Sequence, residues 1–211
     1  MSERLPFWQV VTGVVARPLS TFRHLQDDEK AGLKGLWILL LILAVYTLVL
    51  GIFILRGYPA AAPSILPLSV DQQYSVQIFY QGPLFLGSTF LLTGLLLWLA
   101  KANRRTVGFG ALFARVSFAT TVPFALTTML VELVIALLVL VRAFTPQEAL
   151  GWLSGDGQWF ANAYQLGGIL WLVALLVIVA KVSTSVRWGV AIVLGVLLSA
   201  VYAMPIALLI R

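Results

Sequence analysis

The sequence contains no cysteine and one histidine, His24. Without cysteine there can be no disulfide, no thiolate metal ligand and no cysteine nucleophile, and the redox compartment leaves no mark. A lone histidine near charged neighbours makes no ligand set. Charge is also scarce: 10% of residues are charged, against about 25% in a soluble domain. Acids are scarcest, eight against 14 Lys and Arg. No Gly-rich phosphate loop, Ser/His/Asp grouping or metal-ligand spacing occurs, so we expect no enzyme, no cofactor and no metal.

Apolar side chains are what the chain has in excess, 61% of 211 residues with a mean hydropathy of +0.99. A soluble domain carries roughly 45–50%. So small a body cannot bury that surplus inside itself, so lipid must cover it. No polar stretch is long enough for a second core, which argues for one bundle. The net charge of +6 would suit nucleic acid if it were gathered in a patch. The basic residues instead lie between apolar runs, the pattern of membrane topology, and no nucleic-acid partner is expected.

A helix crossing the hydrocarbon core needs about 20 apolar residues. Five runs qualify: 35–55, 78–100, 116–141, 160–180 and 189–210. The fourth reaches spanning length only when 160–165 joins its strongly apolar part. Backbone groups in lipid must pair within their own segment, so the runs are expected to be helices; a barrel would alternate apolar and polar residues. The expected fold is all-α, a polytopic five-span transmembrane bundle over 35–211, preceded by a cytoplasmic amphipathic segment, 1–34.

Orientation follows from the basic residues. Arg4, Arg17, Arg23, Lys30, Lys34, Lys101, Arg104, Arg105, Arg115, Lys181 and Arg187 fall on one side, and Arg56, Arg142 and Arg211 on the other. Eleven against three places the N-terminus in the cytoplasm and the C-terminus outside. The alternation requires five crossings, which supports the fourth run. The Ala60–Ala62 triplet resembles a signal-peptidase site, but the apolar run before it is too long for a signal peptide. No internal repeat of the transporter kind is evident.

In the N-terminal segment, Phe7, Trp8, Val10, Val11, Val14 and Val15 fall within an arc of about 160° at 100° per residue. Pro18 breaks the phase, and Leu19, Phe22 and Leu25 begin a second apolar stripe. The reading is a helix lying on the membrane surface or packing under the bundle, with docking of a cytoplasmic partner as the rival. Asp27, Asp28 and Glu29 supply cap-type acids before the first span. The outer loops hold Pro59, Pro63, Pro67, Pro146, Trp152 and Trp159; the two tryptophans read as headgroup-level anchors, with ligand binding as the lesser alternative.

Few intramembrane residues invite chemistry. Glu132 reads as the one charged side chain inside a span, with no Lys or Arg in any span to pair with it. An ionised carboxylate there is costly, so it faces the bundle interior, finds a partner or carries a proton. Ser117, Thr121, Thr128 and Glu132 share one face of a regular helix. That stripe reads either as helix-bonding polar groups or as a proton or cation path. Pro83, Pro123 and Pro205 fall inside spans, where kinks are tolerated. Ala191, Gly195, Ser199 and Ala203 recur every four residues, a small-xxx-small ridge for close helix packing within the bundle or between copies.

The layout as a whole resembles the Yip family in its bacterial branch. The resemblance rests on an amphipathic lead with Arg17-Pro18 and Thr21-Phe22, an uncleaved first span, and a basic turn before a third span containing Pro123. An aromatic-bearing loop and two closing helices complete it, over roughly residues 17–210. Family members commonly carry Tyr four residues before that proline; here the position is Ala119, with Phe118 beside it. The Asp-Leu-Tyr-Gly-Pro motif of the eukaryotic relatives that contact Rab-type GTPases is missing, so GTPase binding is not implied. The resemblance implies five spans and a cytoplasmic N-terminus, and the missing cysteine and short loops fit a prokaryotic cytoplasmic (inner) membrane. We therefore expect a non-enzymatic scaffold or adaptor whose partners are the lipid bilayer, other membrane proteins and further copies of itself. The alternative is a small transporter or channel using the Glu132 stripe.

Overall fold

The computed structural model describes residues 5–58 and 70–209, and among these every regular element is helical. Two short helices, α1 (Phe7–Ala16) and α2 (Pro18–His24), lead into α3 (Ala31–Leu55) and α4 (Val70–Ala102). The third long helix runs through α5 (Phe109–Phe124), a π-turn at Ala125–Met129 and α6 (Leu130–Leu140). A short α7 (Pro146–Ser154) precedes α8 (Gln158–Thr184) and α9 (Trp188–Leu209). Five of these rods are long and apolar enough to cross a membrane, and the fourth, α8, is one unbroken helix of 27 residues. Pro59, Pro63, Pro67, Ala60–Ala62, Arg4 and Arg211 lie outside the described residues.

α5 is the axis of the bundle: every residue from Ala111 to Pro123 is buried, with α3, α4 and α8 packed around it and α1 against it. Its sequence permits this because Gly110, Ala111, Ala114, Ser117, Ala119, Thr120 and Thr121 are small. The hydroxyls of Ser117, Thr120 and Thr121 donate to the carbonyls of Phe113, Val116 and Ser117 on their own helix. A buried polar group is thereby satisfied without a partner helix. Small residues also set two backbone crossings. A Cβ at Gly35 would lie 2.7 Å from Ala114 Cα, and one at Gly195 would lie 2.7 Å from Val177 Cα. The second crossing brings Gly195, a member of the expected Ala191, Gly195, Ser199 and Ala203 ridge of α9, against Val177 of α8. Ala191 and Ser199 are buried and Ala203 is half-buried. The outward faces carry Trp37, Leu40, Leu48, Phe79, Trp98 and Leu197, all exposed, as surfaces wetted by lipid must be.

The helices extend past the apolar runs. α3 begins at Ala31 and α4 at Val70, ahead of the expected 35 and 78. Hydropathy registers only the apolar centre of a helix, whereas the lead-in turn of α4 is polar and turned inward. α7 was not expected at all. It is held by a capping box in which Thr145 Oγ1 accepts from the Glu148 N–H at 3.2 Å and the Glu148 carboxylate accepts from the Thr145 N–H at 2.8 Å. The Thr145 N–H and, second, the Thr145 hydroxyl, each donating to the Glu148 carboxylate at 2.8 Å, hold the exposed Glu148 carboxyl below its ordinary value of 4.5.

Candidate functional site

Two polar clusters lie inside the bundle, one near each end. The first is built on Arg115. Sequence placed this residue in the second loop, but α5 starts at Phe109, so Arg115 sits in the second turn of a spanning helix and is fully buried. The expectation of no basic residue inside a span is therefore corrected. A buried guanidinium must have its donors met, and three elements meet them. Nε donates to the Phe22 carbonyl at 2.7 Å, one terminal nitrogen to Ser183 Oγ at 3.2 Å, and the other to Gln26 Oε1 at 3.2 Å. Asp27 adds a favourable charge. Arg115 thus ties the end of α2 to α5 and α8.

That tie explains the N-terminal arc. Val10, Val14, Phe22 and Leu25 are buried against the bundle, Phe7 packs on Phe118 with ring centres 6.0 Å apart, and Val11 is half-buried. Trp8 and Val15 are exposed, at 66% and 47%. The single expected apolar face is therefore divided, most of it packed under the bundle and its flank left outward. Farther along, Asp28 accepts from the Lys30 N–H at 3.0 Å and pairs with Lys34, whose ammonium also donates to the Leu5 carbonyl at 2.6 Å.

The second cluster surrounds Glu132. Gln73, Gln77 and Gln81 recur every four residues on α4 and are buried together with Tyr46, Tyr58 and Tyr74. Gln77 Nε2 donates to the Tyr46 hydroxyl at 3.2 Å, and Gln81 Nε2 to Thr47 Oγ1 at 2.7 Å. The Tyr46 hydroxyl faces the Glu132 carboxyl. Tyr58, beyond the end of α3, lies close enough to feel the same carboxyl. Burial first, and that charge second, push the Tyr58 hydroxyl up to about 12, keeping it a donor. Three oxygens enclosed here, Glu132 Oε2, Gln77 Oε1 and Gln81 Oε1, have no hydrogen-bond partner among the described residues. The glutamine stripe is an i, i+4, i+8 pattern in the sequence, but Gln73 and Gln77 lie ahead of the apolar run 78–100 and only Gln81 falls inside it.

The expected stripe of Ser117, Thr121, Thr128 and Glu132 is not continuous. The π-turn at Ala125–Met129 inserts one residue between its halves, which offsets them by about 100°, the angle of one helical residue. Ser117 and Thr121 are buried at the axis, whereas Thr128 and Glu132 are half-buried. Pro123 lies just before the irregularity, and Thr127 Oγ1 donates to the Pro123 carbonyl at 2.7 Å. The Leu126 carbonyl within the π-turn accepts from the Tyr164 hydroxyl of α8. The kink is thus pinned by side chains, as such irregularities in membrane helices must be.

Among the described residues no group of three or more His, Cys, Asp or Glu could hold a metal ion. No curated protein and no solved structure matches the chain. The family model for the Yip1 domain matches residues 12–209, which takes in the α2 anchor, the Arg115 tie, the π-turn and all five long helices. The chain therefore belongs to the Yip1 domain family.

Proposed function

We propose that this integral membrane protein is a non-enzymatic scaffold or adaptor that holds membrane proteins or lipids through its helix faces and its N-terminal segment. The observation that carries the reading is the use made of Arg115. The buried guanidinium spends its donors on Phe22, Gln26 and Ser183, fixing α1 and α2 under the bundle with Trp8 and Val15 outward. A rigid amphipathic collar suits a membrane surface or a neighbouring membrane protein. The hydroxyl protons of Ser117, Thr120 and Thr121 are spent on their own helix, which leaves them poor members of a relay. The setting we propose is a prokaryotic inner membrane with the N-terminus inside. Reporter fusions after Arg56, Lys101, Arg142 and Lys181 should then read outside, inside, outside and inside; an inside signal at Arg142 would overturn it.

The second reading, a small transporter or channel, draws on the three unpartnered oxygens around Glu132. Oxygen acceptors without donors attract a cation or a proton. The experiment that separates the two is proton and cation flux in liposomes containing wild type or Glu132→Gln. The scaffold reading expects no flux above protein-free vesicles in either sample. Flux that depends on Glu132 would replace it with transport.

A further inference from the structure

The end of the bundle that carries α2 also holds a polar hollow of about 510 Å³. Three elements build it: Arg23 from α2, Arg105 and Thr106 from the turn after α4, and Lys181, Ser183 and Ser185 from the end of α8. Among the described residues its lining includes three cationic side chains and no carboxylate. Like charges converge on one space only at a cost, and a lining of that sign is complementary to an anion. Volumes of roughly 300–1,000 Å³ are those of small-ligand sites.

The donors are placed rather than merely present. Ser183 lines the hollow, and because its Oγ accepts from Arg115 at 3.2 Å, its hydroxyl proton remains available to another acceptor. Lys181 Nζ donates to the Val186 carbonyl at 2.6 Å and lies 5.5 Å from the centre of the Trp188 ring. It is held in position with donors to spare, since an ammonium has three. Ser185 takes a left-handed backbone, φ 55°, to end α8, turning the chain around the hollow's rim. Arg23 and Arg105 are exposed and line the hollow from α2 and from the turn after α4. Exposed Trp98 and Trp188, near the adjacent ends of α4 and α9, are the aromatics expected at headgroup depth.

We infer that the hollow formed by Arg23, Arg105, Lys181 and Ser183 is a binding site for a phosphate group, carried by an anionic lipid headgroup or free in solution. Arginine forks and a lysine charge are the donors that suit phosphate oxygens, and basic pockets between helices on the cytoplasmic side hold acidic headgroups. The site deepens the lipid-binding arm of the scaffold reading and rests on it for the orientation of this face.

The test uses the full chain purified in phosphatidylcholine nanodiscs. Phosphatidic acid is titrated into the discs, and inorganic phosphate into the buffer, each followed by native mass spectrometry and by the shift in melting temperature. Wild type should retain phosphatidic acid at least tenfold over phosphatidylcholine or bind inorganic phosphate at millimolar concentration or below; the first result assigns the headgroup, the second the free anion. Arg23→Gln with Arg105→Gln should reduce the observed binding about tenfold or more. The charge-matched control is Lys101→Gln with Arg104→Gln, two exposed residues of the same turn region outside the lining; it should bind like wild type. No preference for either phosphate source, or equal losses in both double variants, would overturn the site. Neither of those failures touches protein-partner scaffolding, and a Glu132-dependent flux would end the scaffold reading without removing this site.

Discussion

Replacing Arg115 with glutamine should release the N-terminal helices while leaving the bundle folded. The wild-type guanidinium meets three acceptors on α2, the segment after it and α8. Each hydrogen bond to a charged group contributes about 1.5–3 kcal/mol net. Glutamine is shorter and cannot span all three, so the Phe22 carbonyl, accepting at 2.7 Å in the wild type, loses its donor in a buried place at a cost of about 1–3 kcal/mol. Removing the charge recovers part of the desolvation cost, so the net loss should fall near 3 kcal/mol, the low end of the range for breaking a buried ionic contact. At about 1.4 kcal/mol per decade, the amides of α1 and α2 should exchange with deuterium roughly 100-fold faster in nanodiscs, while those of α8 hold their protection. Because the chain lacks cysteine, spin labels introduced at Ser20 and Arg187 would report the same opening as a lengthened, broadened distance. Arg115→Lys keeps the charge but not the planar fork, and should fall between the two. Unchanged exchange across 7–26 in Arg115→Gln would refute the reasoning, since it would mean apolar packing alone holds the segment.

Three further perturbations follow from the geometry. Gly195→Leu should lower thermal stability by about 1–3 kcal/mol, the cost of overpacking, because even a Cβ there meets Val177 backbone at 2.7 Å; a melting curve unchanged from wild type would remove the close crossing. Glu132→Gln should melt within about 1.5 kcal/mol of wild type, since the amide keeps the shape and its oxygen can still accept from the Tyr46 hydroxyl; a larger loss would mean the carboxylate charge itself is structural. Finally, the Glu148 carboxyl is held low by accepting from Thr145, and a depressed group contributes stability that is present above its unfolded value and lost as pH falls through its folded value. The protection of the α7 amides, their exchange relative to the intrinsic rate at each pH, should therefore fall below about pH 4.5 in wild type and show no such step in Glu148→Gln; identical protection profiles would show that the capping box does not hold α7.

Several features could be read directly. The five long helices, including α8, followed from runs of apolar residues and from the spacing of basic ones. In α9 the four-residue repeat is visible, and at one of its positions, Gly195, the Val177 backbone comes close. Thr145 and Glu148 also form a sequence signal for a helix start, three residues apart, inside a stretch whose Trp and Phe residues otherwise mark an interfacial loop. Arg115 was misplaced for a different reason. A charge near the end of an apolar run reads as loop, because its cost in lipid assumes no partner. Its partners come from residues 22, 26 and 183, and nothing local announces them.

What the sequence by itself determined is the part of the structure that adds up residue by residue. Hydropathy summed along a window determines which segments can cross lipid, and small residues at fixed spacing determine where backbones can approach. Family membership belongs here too, since the Yip1 domain match is a property of the sequence. The tertiary structure decided everything that depends on phase and on distant partners. A single π-turn rotated Glu132 away from the Ser117 and Thr121 face and toward Tyr46, and packing of α2 against α8 gathered Arg23, Arg105 and Lys181 around one hollow. Helix phase accumulates along the chain, so one inserted residue redirects every side chain beyond it, and no local window records which distant helix those side chains will meet.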